Sequence, residues 1–235
     1  MIAISLVIPT YNEVRNLPLL LEEIWQLIDH AKIDLEFIIV DDNSPDGTGA
    51  LADELAKQYP VKVIHRAGKL GLGSAVIEGF KISDRPYLGV MDADLSHDPI
   101  ILNNLILSLI DYDLTLGSRF AAGSVVEKWA WFRKLLSMVG VVLARALTGV
   151  QDPLSGYFFF RRSVIEGVLL KTTGYKILLE ILVKGHFKKV KELSYTFRIR
   201  KYSTSKLNWR EFVLFFGQLV GYSCYKIFKS KKYEF

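Results

Sequence analysis

Over its first 120 residues the sequence alternates short β-rich apolar runs with amphipathic stretches, and few folds accept that rhythm. The runs are ISLVIP (4–9), LEFIIV (35–40), VKVIH (61–65), YLGVM (87–91) and LTLGS (114–118). Between them lie helical patterns at 16–30, 48–58, 73–83 and 99–110. The first of these sets Leu17, Leu20, Leu21, Ile24, Leu27 and Ile28 on one stripe. Strands that are apolar throughout, instead of alternating, belong in a parallel sheet covered by helices on both faces. The sequence therefore predicts an α/β sandwich. Ligands of such open sheets bind beyond the carboxyl ends of the strands. Polar punctuation falls there each time, as PTYNE, DDNSPDGT, HRAGKLGLG, DADLSHDP and GSRF. In DDNSPDGT, Asp41, Asp42 and Asp46 suit turns and N-caps as well as ligands.

After residue 120 the pattern predicts a long helix at 126–148, the segment QDPLSGYFFFRR, a helix near 175–185, a strand VKELSYTFRIR (190–200) and an apolar helix at 207–229. No repeat or low-complexity linker interrupts the 235 residues, so this half reads as an elaboration of one domain. Half the residues are apolar or aromatic, which argues for a sizeable core with some surface meeting lipid. The stretch FVLFFGQLVGYSCYKIF (212–228) is shorter than the ~20 apolar residues a spanning helix needs, and it contains Gln218, two glycines and Lys226. An interfacial helix with lysines on anionic headgroups is expected, a core-packed helix being the alternative.

The formal charge is +5, with basic residues concentrated late, in KGHFKK (184–189), RKYSTSK (200–206) and the ending KIFKSKKYEF. That asymmetry suits an anionic partner. Nucleic acid is not expected, because no zinc spacing, RNP-like stretch or basic helix accompanies the lysines. The lone Cys224 has no intramolecular disulfide partner, which is compatible with a reducing compartment. The N-terminal MIAISLVIPTYNE lacks a basic leader and reads as a strand.

Chemistry concentrates at LGVMDADLSHDP (88–99), where Asp92 and Asp94 stand one residue apart as the apolar run ends. Residues two apart in a strand point the same way, so both carboxylates face one ligand. Mg²⁺ is typically held by one or two carboxylates plus substrate phosphates, and the pair fits a clamp for a metal-bound diphosphate. The competing N-cap role is better filled by Asp98, just before Pro99. Ser96, His97 and Asp98 are consecutive and diverge too far to form a relay triad. GKLGLGSAV has Val76 where a third glycine would complete a dinucleotide fingerprint, and it predicts a tight turn opening a helix. His30, His65, His97 and His186 form no ligand cluster and are expected to be structural or exposed.

The ordered set IPTYNE (8–13), VDDNSPDGT (40–48), GKLGLGSA (68–75), MDADLSHDP (91–99), GSRF (117–120), DPLSGYFFF (152–160) and GYKILLEILVK (174–184) resembles the inverting family 2 glycosyltransferases of the GT-A fold. Within them it is most similar to the dolichyl- or polyprenyl-phosphate mannose synthases. The resemblance implies a GT-A catalytic domain over 1–206, a membrane-associating amphipathic helix over 207–235, and transfer of mannose from GDP-mannose to a lipid phosphate with inversion. It also implies Mg²⁺ or Mn²⁺ as cofactor and the cytoplasmic face of a membrane as location. A glucosyl donor or a polysaccharide acceptor is the alternative within the family.

By the same resemblance, Pro9, Tyr11, Glu13, Val40 and Asp42 hold the nucleoside, and Lys176 approaches its pocket. Asp92, Ala93 and Asp94 surround the metal and diphosphate. Arg119, Arg133, Arg200 and Lys206 handle donor and acceptor phosphates, and Tyr157 shapes the sugar site. Trp129, Trp131 and Phe132 suit core packing or, beside Arg133 and Lys134, an amphipathic headgroup-level element expected to gate the lipid phosphate. Ser96 stands where the family usually has a glutamine, which would leave the ion to water, and Ser203 where it commonly has a glycine. The chain stops after its last predicted helix, without the spanning helices that some members append. Attachment is then expected through that helix or through a small membrane subunit.

Overall fold

The structure is a computed structural model that describes residues 1–127, 140–171, 176–200, 215, 217–223 and 225–226, and the backbone of 131–139. In chain order the strands and α-helices are β1 (Ile2–Thr10), α1 (Leu17–Leu27), β2 (Ile33–Asp41), α2 (Thr48–Leu55), β3 (Val61–His65), α3 (Leu72–Ile82), β4 (Tyr87–Val90), α4 (Leu102–Leu107), β5 (Leu114–Ser118), β6 (Val125–Val126), α5 (Trp131–Thr148), β7 (Phe158–Arg161), α6 (Ile177–Lys184), β8 (Val190–Ser194) and β9 (Thr196–Phe197). Seven strands form one sheet in the order β3-β2-β1-β4-β7-β5-β8. β7 runs antiparallel to both neighbours, and every other pairing in the sheet is parallel. Strands β1 to β5 consequently point one way, and the five loops that follow them share one edge.

Both faces of the sheet are covered, as continuous apolar strands require. Ile4, Leu6, Ile8, Phe37 and Ile39 pack beneath Leu17, Leu20, Leu21 and Ile24 of α1 and Leu102, Leu105 and Ile106 of α4. On the other face Val7, Ile38, Val90, Phe158 and Phe160 meet Val76 and Phe80 of α3 and Leu178 and Ile181 of α6. Each such fully buried side chain contributes about 1.5–3 kcal/mol against exposure. Two glycines allow the close approach. A Cβ on Gly89 would lie 2.2 Å from the Phe159 ring, and one on Gly79 would lie 2.5 Å from Val7.

Four local expectations change. The run 99–110 is not one helix; 3₁₀ turns at Pro99–Ile101 and Ser108–Ile110 flank a short α4. Residues 125–126 are a strand paired with β9, not the start of a helix. The expected strand 190–200 divides at Tyr195, where it leaves β5 for β6. FFFR (158–161), unassigned by pattern, is the strand inserted between β4 and β5.

A third apolar cluster joins Val141 and Ala144 of α5, Leu154, Leu179 and Val183 of α6, and Phe215, Leu219 and Tyr222. The described helical residues near the C-terminus thus bury one face against the body, as the core-packed alternative required. Among the described residues no helix is long and apolar enough to cross a membrane.

Candidate active site at the carboxyl edge of the sheet

Asp92 and Asp94 lie immediately beyond β4, on the edge where the loops converge. Leu95 follows at φ +62°, in the left-handed region that costs an L-residue about 1–2 kcal/mol. The sharp turn brings the Ser96 amide onto Asp94 Oδ1 at 3.0 Å, and the Ser96 hydroxyl donates to the same oxygen. Ser96 therefore spends its hydroxyl orienting Asp94. Asp98 caps the next turn by accepting from the Ile100 amide at 3.0 Å, which leaves Asp92 and Asp94 without a capping duty.

Each of the two carboxylates also meets a side chain from elsewhere. Arg200 Nε stands 2.7 Å from Asp94 Oδ2. His97 Nε2 stands 3.3 Å from Asp92 Oδ2. Burial opposes ionisation of Asp92, but the His97 hydrogen bond and charge and the nearby Arg200 and Lys176 charges hold its carboxyl below the usual range. Arg200 is delivered by the chain leaving β9. There Arg198 donates its amide to Ser96 O at 2.8 Å and its guanidinium to Glu23 at 2.9 Å and Asp98 at 2.7 Å. Arg200 is thereby held beside the acidic turn.

Arg119, at the end of β5, is gripped by Asp152. Its Nε and Nη2 donate at 2.8 Å to the two carboxylate oxygens, and its amide reaches Oδ2 at 3.0 Å. Asp152 is fully buried and receives its own orientation from Glu192, which accepts the Gln151 and Asp152 amides at 2.6 and 3.0 Å. Burial alone would raise the Asp152 carboxyl, but Arg119 lowers it; reciprocally, Asp152 raises the guanidinium against burial. Lys176 begins α6 and donates to Leu154 O at 3.3 Å. Burial and then the Arg119 charge pull its amine down to about 7.

The residues expected around the nucleoside gather at the tips of β1 and β2. Pro9 and Val40 are register partners and both are buried; Val40 and Ala93, 0% and 3% exposed, leave mainly backbone to offer a ligand. Glu13 accepts from Asn16 Nδ2 at 2.6 Å, and its amide donates to Thr48 Oγ1 at 2.9 Å. Tyr11 lies under Lys69, whose Nζ is 4.1 Å from the ring centroid. Asp42 accepts from Arg66 Nη1 and, at 3.0 Å, from the Gly71 amide, which ties the loop after β3 to the tip of β2. Asp41 and Asp46 turn onto Ser44 and Thr48, as loop carboxylates do.

Tyr157, expected to shape the sugar site, is fully buried beneath the His97 ring, 5.3 Å away between centroids. The Arg133 side chain, Lys206, Ser203 and the Trp129, Trp131 and Phe132 rings lie outside the described residues. Sequence reasoning missed Asp152, Arg66 and the placement of His97. The first lay within DPLSG and the last within the acidic motif, but the contacts that give them work span 33, 24 and 98 residues.

A two-sided α/β sheet with an acidic tip ringed by basic side chains places the chain in the GT-A class of folds. The chain belongs to glycosyl transferase family 2, whose model matches residues 5–169. It is 46% identical over 211 residues to a dolichol-phosphate mannosyltransferase of Pyrococcus furiosus, covering 87% of this chain and 59% of that protein. The chain thus spans less than two thirds of that relative's length. A dolichol-phosphate mannosyltransferase of Saccharomyces cerevisiae is 35% identical over 226 residues, covering 92% and 85%. In shape the chain matches glucosyl-3-phosphoglycerate synthase from Mycobacterium tuberculosis, with a TM-score of 0.68, 19% identity, and 95% and 79% of the two chains covered.

Proposed function

We propose that the chain transfers mannose from GDP-mannose to a dolichyl or other polyprenyl phosphate, with inversion and with a divalent cation. The observation that carries this is the strand-tip pair Asp92 and Asp94, faced by Arg200 and coupled electrostatically to Lys176. The mannosyltransferase relatives support the sugar and the lipid phosphate. Among the described residues no three acidic, histidine or cysteine side chains gather into a metal-binding group. Two carboxylates fit an ion that completes its shell with diphosphate and water. The matched glucosyl-3-phosphoglycerate synthase structure is a complex with Mn²⁺ and UDP-glucose, which accords with Mn²⁺ or Mg²⁺ here. Held by Asp92 and Asp94, such an ion supplies Lewis-acid stabilisation to the departing diphosphate.

The chain's own residues meet the remaining requirements. A lipid phosphate is already an anion, so no side chain need deprotonate it. The two anionic substrates must instead be held together against repulsion. Arg119, preorganised by Asp152, and Arg200 supply charged donors of the kind that bind phosphate strongly. Pro9, Tyr11, Glu13, Val40 and Asp42 form the nucleoside end, with Arg133 and Lys206 as further phosphate ligands. We place the protein on the cytoplasmic face of a membrane, in contact through the C-terminal helix, with a small membrane subunit as a further partner. Val142 and Leu143 of α5 and Val220 support that contact as outward-facing apolar side chains. Incubation with a panel of nucleotide sugars, Mg²⁺ or Mn²⁺ and a short polyprenyl phosphate tests the proposal. Mass spectrometry should find the mannosyl-phospholipid, and a product from a different sugar alone would overturn the donor assignment.

A further inference from the structure

Two neighbours define the place of the Asp92 carboxylate. The first is the His97 ring, 2% exposed, with Nε2 3.3 Å from Asp92 Oδ2 and Nδ1 2.9 Å from the Tyr195 hydroxyl. The second is Gly156, where a Cβ would meet Asp92 Oδ2 at 2.7 Å, Cγ at 3.1 Å and Oδ1 at 3.2 Å. Gly156 has no left-handed φ, so Asp92 is what excludes a side chain there. The proton inventory fixes the direction of the hydrogen bond to Asp92. An ionised carboxylate only accepts, so Nε2 carries the hydrogen that points at Asp92, while Nδ1 pairs with the Tyr195 hydroxyl. The imidazole is locked in turn by the rings of Tyr157, Tyr195 and Phe197, at 5.3, 5.8 and 5.6 Å between centroids, and by a β-bridge between His97 and Phe197.

We propose that His97 is a positioning residue that fixes the rotamer of Asp92 through a Tyr195–His97–Asp92 hydrogen-bond chain, and that Gly156, by lacking a side chain, leaves the space this rotamer occupies. Asp92 is thereby oriented before a cation arrives. The inference rests on the cation proposed above at Asp92 and Asp94. Outer partners of metal-binding carboxylates typically change affinity 10–100-fold when removed, and the same scale is expected here. Gly156 also explains why the DPLSG turn lies against the acidic loop: its lack of a side chain makes room for the Asp92 carboxylate.

Two measurements test this. In the metal-free protein, histidine ¹⁵N NMR should report a hydrogen on Nε2 of His97; a ring protonated on Nδ1 alone would overturn the hydrogen-bond chain. In the second, Mn²⁺ is titrated by electron paramagnetic resonance with GDP present. His97→Phe, Tyr195→Phe and Gly156→Ala should each weaken Mn²⁺ binding about tenfold or more, and His97→Gln, which keeps an N–H near the Nε2 position, should recover most of the loss. Wild-type affinity in both His97→Phe and Gly156→Ala would overturn the positioning role. If His97→Phe does not fold, Gly156→Ala and Tyr195→Phe decide. A wild-type protein that binds no Mn²⁺ overturns the cation proposal itself, and the NMR result then decides alone whether His97 orients Asp92.

Discussion

Asp94 gathers three interactions on one carboxylate, which accepts from the Ser96 amide and hydroxyl and from Arg200. Hydrogen bonds to charged groups are worth about 1.5–3 kcal/mol, or roughly one to two factors of ten in rate when made in the transition state. Asp94→Ala should therefore lower kcat/KM at least tenfold while circular dichroism stays native. Arg119 is different: its guanidinium is held by a buried partner, so the structural and functional roles coincide. Asp152→Ala should cost about 3–5 kcal/mol in denaturant unfolding, because it strands a largely buried charge. Lys176 provides a pH signature. Its amine titrates near 7 in the fold and near 10.5 unfolded, so the charged form is disfavoured at low pH and that penalty is relieved as pH rises from 7 towards 10.5. Anionic donor favours the charged amine. Donor affinity should fall as pH rises above about 7, and Lys176→Met should flatten that profile in calorimetric titrations.

Elements set by local pattern were legible in the sequence, and those set by distant pairing were not. The five apolar runs each became a strand, four of them largely buried and β3 at the sheet's edge, since an apolar run reads as a strand without knowledge of its neighbours. β7 eluded pattern reading because it is inserted antiparallel between β4 and β5, a placement that FFF alone does not encode. The two-residue β6 exists only through Thr196 and Phe197, some 70 residues away. The paired carboxylates and their edge were readable from spacing, yet Asp152 acquires its role only against Arg119, 33 residues away, and His97 only once Tyr195, 98 residues away, pairs with its ring. The sheet's centre gives a stability test. Gly89→Ala forces a methyl into the Phe159 ring and should destabilise by about 1–3 kcal/mol, or more where the strands cannot part. A midpoint in urea equal to wild type would contradict the packing.

At the scale of the whole molecule, the sheet acts as a platform whose carboxyl edge is chemical and whose third cluster ties α5, α6 and the C-terminal helical residues together. A helix read from its apolarity as interfacial turns out to bury Phe215, Leu219 and Tyr222, while Val220 remains 65% exposed. Burial of one face and exposure of the other was beyond a linear reading, because Val141, Ala144 and Leu179 come from distant positions. If the exposed face meets headgroups, the protein should float with vesicles containing anionic lipid and less with neutral ones, the lysine-rich ending adding attraction. The account turns most directly on whether donor and cation meet at the β4 tip. Calorimetric titration of GDP-mannose should show binding with Mn²⁺ that is lost in EDTA and lost in Asp92→Asn and Asp94→Asn. Equal donor affinity in EDTA and in both variants would contradict it.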